Sequence, residues 1–191
     1  IDEDLMPIII SPDYNTVFAF KSLIDEKSDE NNSMVIAGNM VQPMELFSIK
    51  VQSRSKKSIG KFLTIKSYQF DEEGSQLAFI DGEDNVYIYN LETEQLQKVL
   101  EKYKYRNFSA ISWSRDSKRL MFDSRMIFDI ASKEFISIAA DSYTPFIKRN
   151  FNGNIYITEM KNDKYDNIVA LYNFDNRSYT QIADGPYMDS D

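Results

Sequence analysis

The hairpin Tyr89-Asn-Leu-Glu-Thr-Glu-Gln-Leu-Gln-Lys-Val99 occurs in this chain in four related copies. Each copy has an aromatic, a polar and an apolar residue, then a polar turn and a second alternating stretch. Apolar residues two apart on both arms are the period of a half-buried β-strand. The other copies span residues 47–59, 128–138 and 172–182.

The spacing of these hairpins defines the repeat. Their first aromatic residues, Phe47, Tyr89, Phe128 and Tyr172, are 42, 39 and 44 residues apart. A four-stranded β-propeller blade takes about 40–45 residues, which is the same period. Helical repeats have similar lengths, but their apolar residues recur at three and four, and these do not. The sequence therefore predicts an all-β chain, a β-propeller of four-stranded antiparallel blades, with four blades in this chain.

A second element precedes each hairpin. It reads Ile10-Ser-Pro-Asp-Tyr-Asn-Thr-Val-Phe-Ala-Phe20 in the first copy, and it recurs at 70–80, 113–122 and, in degenerate form, 149–157. In each copy a strand ends on a large apolar residue, a tight polar turn follows, and a second strand begins. Asp13, Glu73 and Asp116 occupy the turn position where an acceptor side chain can cap backbone N–H groups.

These two elements place the strands of each blade. Innermost strands are predicted at 5–10, 65–70, 108–113 and 144–148, and second strands at 16–20, 76–80, 119–123 and 154–159. The chain is then a single propeller segment, 1–191, with blades at about 5–61, 62–101, 102–140 and 141–184 and a linker or tail at 185–191. In the first blade the polar run 25–33 indicates an exposed loop, and residues 34–37 indicate an extra strand.

The repeat resembles the TolB-like, WD40-like propeller family. That family's pattern is W-S-P-D-G-x-x-(L/I)-A-F followed by (I/V)-Y-V-x-(D/N)-L-x-T-G-x. The stretches that carry the resemblance are Ser11-Pro12-Asp13, Trp113-Ser114-Arg115-Asp116 and Val86-Tyr-Ile-Tyr-Asn-Leu-Glu-Thr93. The turn glycine is kept only at Gly74, with Tyr14 and Ser117 at the matching places. We therefore expect type I turns without a positive φ at those two residues.

Composition narrows the classes of function. The net charge of −8 and the pI near 4.7 argue against nucleic acid, because a duplex-binding protein needs a basic face. The chain has no Cys and no His, and His is the commonest general base and metal ligand. It also lacks G-x-S-x-G and a glycine-rich phosphate loop. We therefore expect no enzymatic activity, no cofactor and no metal ion.

Two carboxylate clusters are interpreted as turns. Residues 81–85 lack the Asp/Asn pattern and terminal Glu of a calcium loop, so a hairpin turn is the simpler interpretation. Residues 71–73 are interpreted as a solvated turn. No apolar stretch approaches the roughly 20 residues of a membrane span, so we expect membrane association only through an anchor outside this sequence.

The family resemblance implies a rigid disc whose loops dock proteins or envelope components. We therefore expect a non-catalytic protein-interaction or scaffolding module, extracytoplasmic (periplasmic or cell-surface), with a protein partner. The connection 101–107 joins an outer strand to the next inner strand, on a face where propellers commonly bind partners. This connection contains Tyr103, Tyr105 and Arg106, which are residue types enriched at interface hot spots. The equivalent connection of the next blade contributes Asp141 and Tyr143. Packing of these tyrosines between blades is the competing interpretation.

Other functions and assemblies remain open on the sequence. One is a gating propeller beside a peptidase domain, and another is a carbohydrate-binding propeller with Tyr and Trp as stacking platforms. Trp113 falls on a predicted inner strand, which disfavours the latter. The ring itself has three interpretations: a longer polypeptide of about six to eight blades, a closed four-blade ring, or a homodimer that forms eight blades.

Overall fold

The fold consists of β-strands and turns. A computed structural model describes residues 5–23, 34–36, 39–41, 43–101, 108–123, 126–136, 146–152, 155–161, 167–173 and 178–184. These ranges contain no helix, and therefore no helix that is long and apolar enough to cross a membrane. The chain divides into two compact units, Ile1–Asn107 and Phe108–Asp191.

The first unit contains two four-stranded antiparallel sheets and a small hairpin. The first sheet has the order β1-β2-β5-β6 and the second β7-β8-β9-β10. The strands are β1 (Met6–Ile10), β2 (Thr16–Ser22), β3 (Met34–Ile36), β4 (Asn39–Val41), β5 (Pro43–Lys50), β6 (Lys56–Leu63), β7 (Ile65–Phe70), β8 (Gln76–Asp81), β9 (Val86–Asn90) and β10 (Gln95–Leu100). The predicted extra strand at 34–37 is thus present as β3, which pairs with β4, whereas 25–33 lie outside the described residues.

The second unit contains two further sheets of the same kind, ordered β11-β12-β13-β14 and β15-β16-β17-β18. The strands are β11 (Ile111–Trp113), β12 (Arg119–Phe122), β13 (Met126–Asp129), β14 (Glu134–Ile136), β15 (Phe146–Asn152), β16 (Ile155–Lys161), β17 (Asn167–Asn173) and β18 (Ser178–Asp184). Four antiparallel meanders of four strands confirm the predicted propeller blades.

Alternation along each strand gives a blade two faces. In β2, Phe18 points to the core that the first blade shares with the second, and Ala19 points to the opposite face. The shared core is built from both blades. Its buried members are Phe18, Leu46, Phe62, Leu77, Phe79, Tyr89 and Leu91. Full burial of one such side chain stabilises by about 1.5–3 kcal/mol, so this core is the main energetic link between the two blades.

Aromatic rings set the geometry of that core. Phe18 meets Tyr89 edge to face, with ring centroids 5.8 Å apart, and Phe62 meets Phe79 in the same way at 5.1 Å. Such tilted pairs add about 0.5–1.5 kcal/mol beyond area burial. The buried Tyr89 hydroxyl lies 3.1 Å from Ser48 Oγ, so its polar atom is satisfied across the blade boundary.

The third blade has an aromatic core of its own. Phe108 and Phe122 stack with centroids 4.4 Å apart, and Phe135 contacts both rings and that of Phe128. Trp113 is buried, with 8% of its surface exposed, as its inner-strand position predicted. In the fourth blade Ile168 and Ala170 are buried.

The expectation for the turn backbone is wrong. Tyr14 and Ser117 have φ values of 60° and 55°, and Gly74 has 71°, so all three copies adopt the left-handed region. Each turn is closed by a bond from this residue to the carbonyl three positions earlier, for example Tyr14 N to Ser11 O at 2.8 Å. A four-residue loop built on such a turn needs the left-handed residue to restore the strand register. The register therefore overrides the preference of the side chain.

The chain uses the same device at its outer hairpins. Arg54, Glu94 and Lys133 have φ values of 56°, 52° and 59°, and each precedes the second arm of its hairpin. The family pattern has glycine at this place, because only glycine enters the left-handed region without steric cost.

We predict that Lys133→Gly raises stability by about 0.5–1 kcal/mol, because relief of the positive φ outweighs the entropy that glycine adds to the unfolded chain. The matched control is Lys118→Gly, also exposed but without a positive φ, which should lower stability by a similar amount. Thermal unfolding measures both. Equal effects of the same sign would contradict the strain assigned to Lys133.

Candidate functional site

The binding residues predicted from the sequence, Tyr103, Tyr105, Arg106, Asp141 and Tyr143, lie outside the described residues. Their surroundings are defined on one side. β10 ends at Leu100, which pairs with Val86 at the start of β9, and Ile80 pairs with Val86 from β8. Exposed Glu101 therefore leads into the 102–107 connection at the sheet edge that also carries residues 82–85. We call this the hairpin edge: Thr64, residues 82–85 and Glu101.

A buried carboxylate organises the hairpin edge. Asp81 is 2% exposed and accepts hydrogen bonds from the backbone N–H groups of Glu83 and Asn85 and from Asn85 Nδ2, each at 2.9 Å. Its oxygens are thus directed at the turn itself, and the predicted hairpin turn at 81–85 is confirmed. Within the described ranges no group of three Asp, Glu, His or Cys side chains is arranged to hold a metal ion.

Gly82 explains how the hairpin approaches the preceding blade. Its N–H donates to Thr64 O at 3.2 Å, and a Cβ at this position would stand 1.8 Å from Leu63 O. A side chain is therefore excluded here. Lys66 Nζ adds an ion pair to Asp84 at 2.7 Å, which ties the inner strand β7 to the same hairpin.

Tyr87 completes the polar group around Asp81. Burial and, to a smaller extent, the Asp81 carboxylate beside its hydroxyl raise the pKa of Tyr87 to about 12. A phenol with a raised pKa is an acid held in its neutral form, and here it lies beside a buried carboxylate. The group stabilises the hairpin.

The opposite edge is built from repeated turns. We call it the turn edge of the first unit: residues 11–15, 51–55, 71–75 and 91–94. Buried Ser11 accepts the Thr16 N–H at 2.9 Å and donates to Asp13. In the second unit Ser114 does the same, accepting the Arg119 N–H at 2.9 Å and donating to Asp116 at 2.6 Å.

The second copy of this turn differs in chemistry. Asp71 accepts the Gln76 N–H at 2.9 Å directly and also the Ser75 hydroxyl at 2.9 Å. One carboxylate thus replaces the Ser and Asp pair of the other copies. The predicted cap at Glu73 is wrong for this reason. The solvated turn predicted at 71–73 is confirmed for the exposed Glu72 and Glu73, but it is wrong for Asp71, which is 4% exposed.

The predicted caps at Asp13 and Asp116 are confirmed. Asp13 accepts the Asn15 N–H at 3.0 Å, and Asp116 accepts the Lys118 N–H at 3.2 Å. The hydrogen bond from Ser11 and those from Asn15 lower the pKa of Asp13 to about 2, so this exposed carboxylate is ionised at neutral pH.

A further repeated cap was missed in the sequence. Asn90 Oδ1 accepts the N–H groups of Glu92 and Thr93, and Asp129 Oδ1 accepts those of Ala131 and Ser132. The hydroxyl three residues later bonds to the same oxygen in both copies. The signal for this cap in the sequence is (D/N)-x-x-(T/S), which both hairpins carry.

These contacts limit what the blade ends can do chemically. The serine hydroxyls of Ser11 and Ser114 each donate to a carboxylate and accept a backbone N–H. A nucleophilic serine needs a base that takes its proton and an orienting group, whereas these serines are held by turn hydrogen bonds. The hydroxyls of these two serines therefore have structural partners.

Comparison with known proteins agrees with this architecture. The β-propeller domain of the Trilobed protease from Pyrococcus furiosus matches with a TM-score of 0.52 and 14% identity, over 95% of this chain and 57% of that chain. Dipeptidyl peptidase 4 from Porphyromonas gingivalis matches with a TM-score of 0.57 and 12% identity, over 94% of this chain and 32% of that chain. An oligogalacturonate lyase in complex with manganese matches with 0.55 and 11%, over 96% and 55%.

The likeness at such low identity concerns the fold. It confirms the β-propeller fold that the repeat predicts. This chain spans little more than half of the lyase and the protease propeller and about a third of the peptidase. No family model matches the sequence, and no curated protein matches it.

We predict that Asp13→Asn lowers stability near neutral pH. The pKa of Asp13 is depressed in the folded state, so its contribution is present above its ordinary value of 3.8 and is lost as the pH falls toward 2. Urea unfolding at pH 7, 4 and 2 should show the gap between wild type and variant closing with acid. Glu73→Gln, a carboxylate outside the Ser11 turn, is the control and should not give this closing gap.

We predict that Tyr87→Phe costs about 0.5–1.5 kcal/mol near neutral pH, because the neutral hydroxyl beside the Asp81 carboxylate is lost while the three hydrogen bonds to Asp81 remain. The raised pKa makes the tyrosine's contribution full below pH 10, and it is lost as the pH rises from 10 to about 12. Unfolding across that range should therefore show the gap narrowing. The control is Tyr68→Phe, because Tyr68 is half-exposed. A gap that is independent of pH would contradict the Asp81 interaction.

Proposed function

We propose that this chain is a non-catalytic protein-interaction module whose blades hold loops against a partner protein outside the cytoplasm. The supporting observation is the use of the polar side chains at the blade ends. Ser11, Asp71, Asp81 and Ser114 are buried and form hydrogen bonds within the turns. A blade end organised in this way is a rigid support for variable connections, which is the requirement of a docking surface.

Partner docking is proposed at each of two connections, 101–107 and 141–145. It rests on the residue types in the sequence, Tyr103, Tyr105 and Arg106 with Asp141 and Tyr143, and on the described flank of the first connection. Glu101 leaves β10 next to the Asp81 hairpin, in which two backbone N–H groups and the Asn85 side chain donate hydrogen bonds to one carboxylate. A fixed flank lowers the entropy that is lost when a partner binds beside it.

The location outside the cytoplasm follows from the family resemblance. The acidic chain favours a protein partner over nucleic acid, since it lacks the basic surface that phosphates require.

The proposed function is tested with the double variant Tyr103→Ala/Arg106→Ala. Affinity capture from the source cells with the wild-type chain should enrich one protein reproducibly. The variant should capture at least tenfold less of that protein, which is a loss typical of hot-spot residues. Thermal unfolding of the variant should match that of wild type. The control is Lys133→Ala, which removes an exposed charge at an outer hairpin.

Two results would contradict this proposal. A variant that loses several kcal/mol of stability places the two side chains in packing between blades, which is the competing interpretation. Equal capture by wild type and variant excludes the 101–107 connection as the docking surface.

A second candidate function is a propeller that restricts access to a peptidase domain. It is favoured by one observation, the likeness in fold to the Trilobed protease propeller and to dipeptidyl peptidase 4. The catalytic residues would then lie in another part of the polypeptide. A G-x-S-x-G segment in the full gene, in a region predicted to form a strand, a turn and a helix, would favour this function.

Carbohydrate binding has less support. A stacking platform must present a ring to solvent, and Trp113 is buried in the third blade. A glycan array that gives specific binding would revive this alternative.

A further inference from the structure

Tyr14 is an exposed aromatic residue in an unfavourable backbone conformation. Its φ is 60° and 76% of its surface is exposed. The other non-glycine residues with a positive φ among the described residues are polar or charged, so solvent is a good environment for their side chains. They are Arg54, Thr64, Asp84, Glu94, Ser117, Asp123 and Lys133. Tyr14 therefore combines backbone strain with an exposed apolar ring, and in the isolated chain neither is compensated by packing of that ring.

The neighbours of Tyr14 extend the apolar surface. The Val51 N–H donates to Asn15 O at 2.8 Å, so the 51–55 turn lies directly beside the Tyr14 turn, and Val51 is 47% exposed. Pro12 is also exposed, and its ring packs against Gly74, where an added Cβ would stand 3.0 Å from Pro12 Cγ. We call Pro12, Tyr14 and Val51 the Tyr14 patch.

Charges around the patch indicate what it can bind. Asp13 lies between Pro12 and Tyr14 in the chain, is exposed, and is ionised at neutral pH. Glu73 is exposed on the adjacent turn, next to the Gly74 that contacts Pro12. Arg54 is the cation of the neighbouring turn, while Lys50 and Lys57 on the same edge pair with Glu94. An exposed phenol ring beside an ionised carboxylate is a favourable site for a Lys or Arg side chain.

We propose that the Tyr14 patch is a second protein-docking surface, on the turn edge, for a partner segment that presents a basic side chain beside apolar ones. It rests on the proposed interaction function but not on the 101–107 connection, because the turn edge and the hairpin edge are opposite ends of the same blades. The partner's cation would lie over the Tyr14 ring and against Asp13. Its apolar side chains would cover Pro12 and Val51.

The charge of the patch disfavours a second copy of this chain as its occupant. The chain carries a net charge of −8, and self-association would bring like charges together. A basic segment meets the opposite sign and gains in association rate as well as in specificity.

The key variant is Tyr14→Gly, which separates folding from binding. Glycine is the family's residue at this position and relieves the positive φ, so the variant should be at least as stable as wild type. The matched control is Ser117→Gly, the same change at the equivalent turn of the third blade, with φ 55°. Thermal unfolding should show no loss of stability in either variant.

Binding is measured by fluorescence anisotropy with three labelled peptides of equal length, which alternate Lys with Leu, Glu with Leu, and Lys with Ser. We expect the Lys–Leu peptide to bind wild type best and to weaken with added salt. Tyr14→Gly should weaken that binding by roughly tenfold, the loss typical of an aromatic hot spot. Ser117→Gly should bind like wild type.

Three results would overturn the proposal. The first is that the Lys–Leu peptide does not bind wild type up to about 1 mM, where affinity is negligible. The second is that wild type and Tyr14→Gly bind the peptide equally, and the third is that Ser117→Gly loses as much peptide affinity as Tyr14→Gly. If Tyr14→Gly binds normally while Tyr103→Ala/Arg106→Ala loses its captured partner, the Tyr14 patch is excluded and the proposed function stands. If Tyr14→Gly loses only the peptide and Tyr103→Ala/Arg106→Ala loses only the captured protein, the chain has two separate docking surfaces.

Discussion

A single antiparallel blade cannot bury both of its faces, so it needs a neighbouring blade. In the first unit the apolar contact between the two blades buries one face of each. Phe18 and Phe62 from one blade pack against Phe79 and Tyr89 from the next. These residues alternate with side chains of the opposite face, so the pleat commits every second position to the boundary between blades. Ser48 and Tyr89 then fix the register of the two sheets, because a buried hydroxyl must find its partner.

That packing demands precise turns, and the chain makes them with few glycines. It has 6 in 191 residues, so the left-handed positions of its hairpins fall mainly to other residue types. Side-chain acceptors offset the backbone cost. Ser11, Asp71 and Ser114 each bind the N–H of the residue five positions later, which closes the hairpin at the point where the strand ladder begins.

The hairpin edge and the turn edge of the first unit differ in what they expose. At the hairpin edge, buried Asp81 gathers the donors of its own turn and leaves the backbone rigid beside the connection that follows Glu101. At the turn edge, the polar groups are also satisfied, but Tyr14 is left exposed on top of them. A rigid turn that presents an exposed aromatic ring is a pre-organised contact, because little entropy remains to be lost on binding.

The sequence by itself determined the four-blade repeat and the strand positions. The period of two and the spacing of Phe47, Tyr89, Phe128 and Tyr172 are local properties that survive without knowledge of packing. It also placed Trp113 in the interior and Asp13 and Asp116 as caps. Only the tertiary structure decided that Asp71, not Glu73, closes the second turn, since burial depends on which side of the hairpin faces its neighbour. It alone showed that Tyr14 takes a positive φ, because the strand register sets that angle and the side chain has to follow.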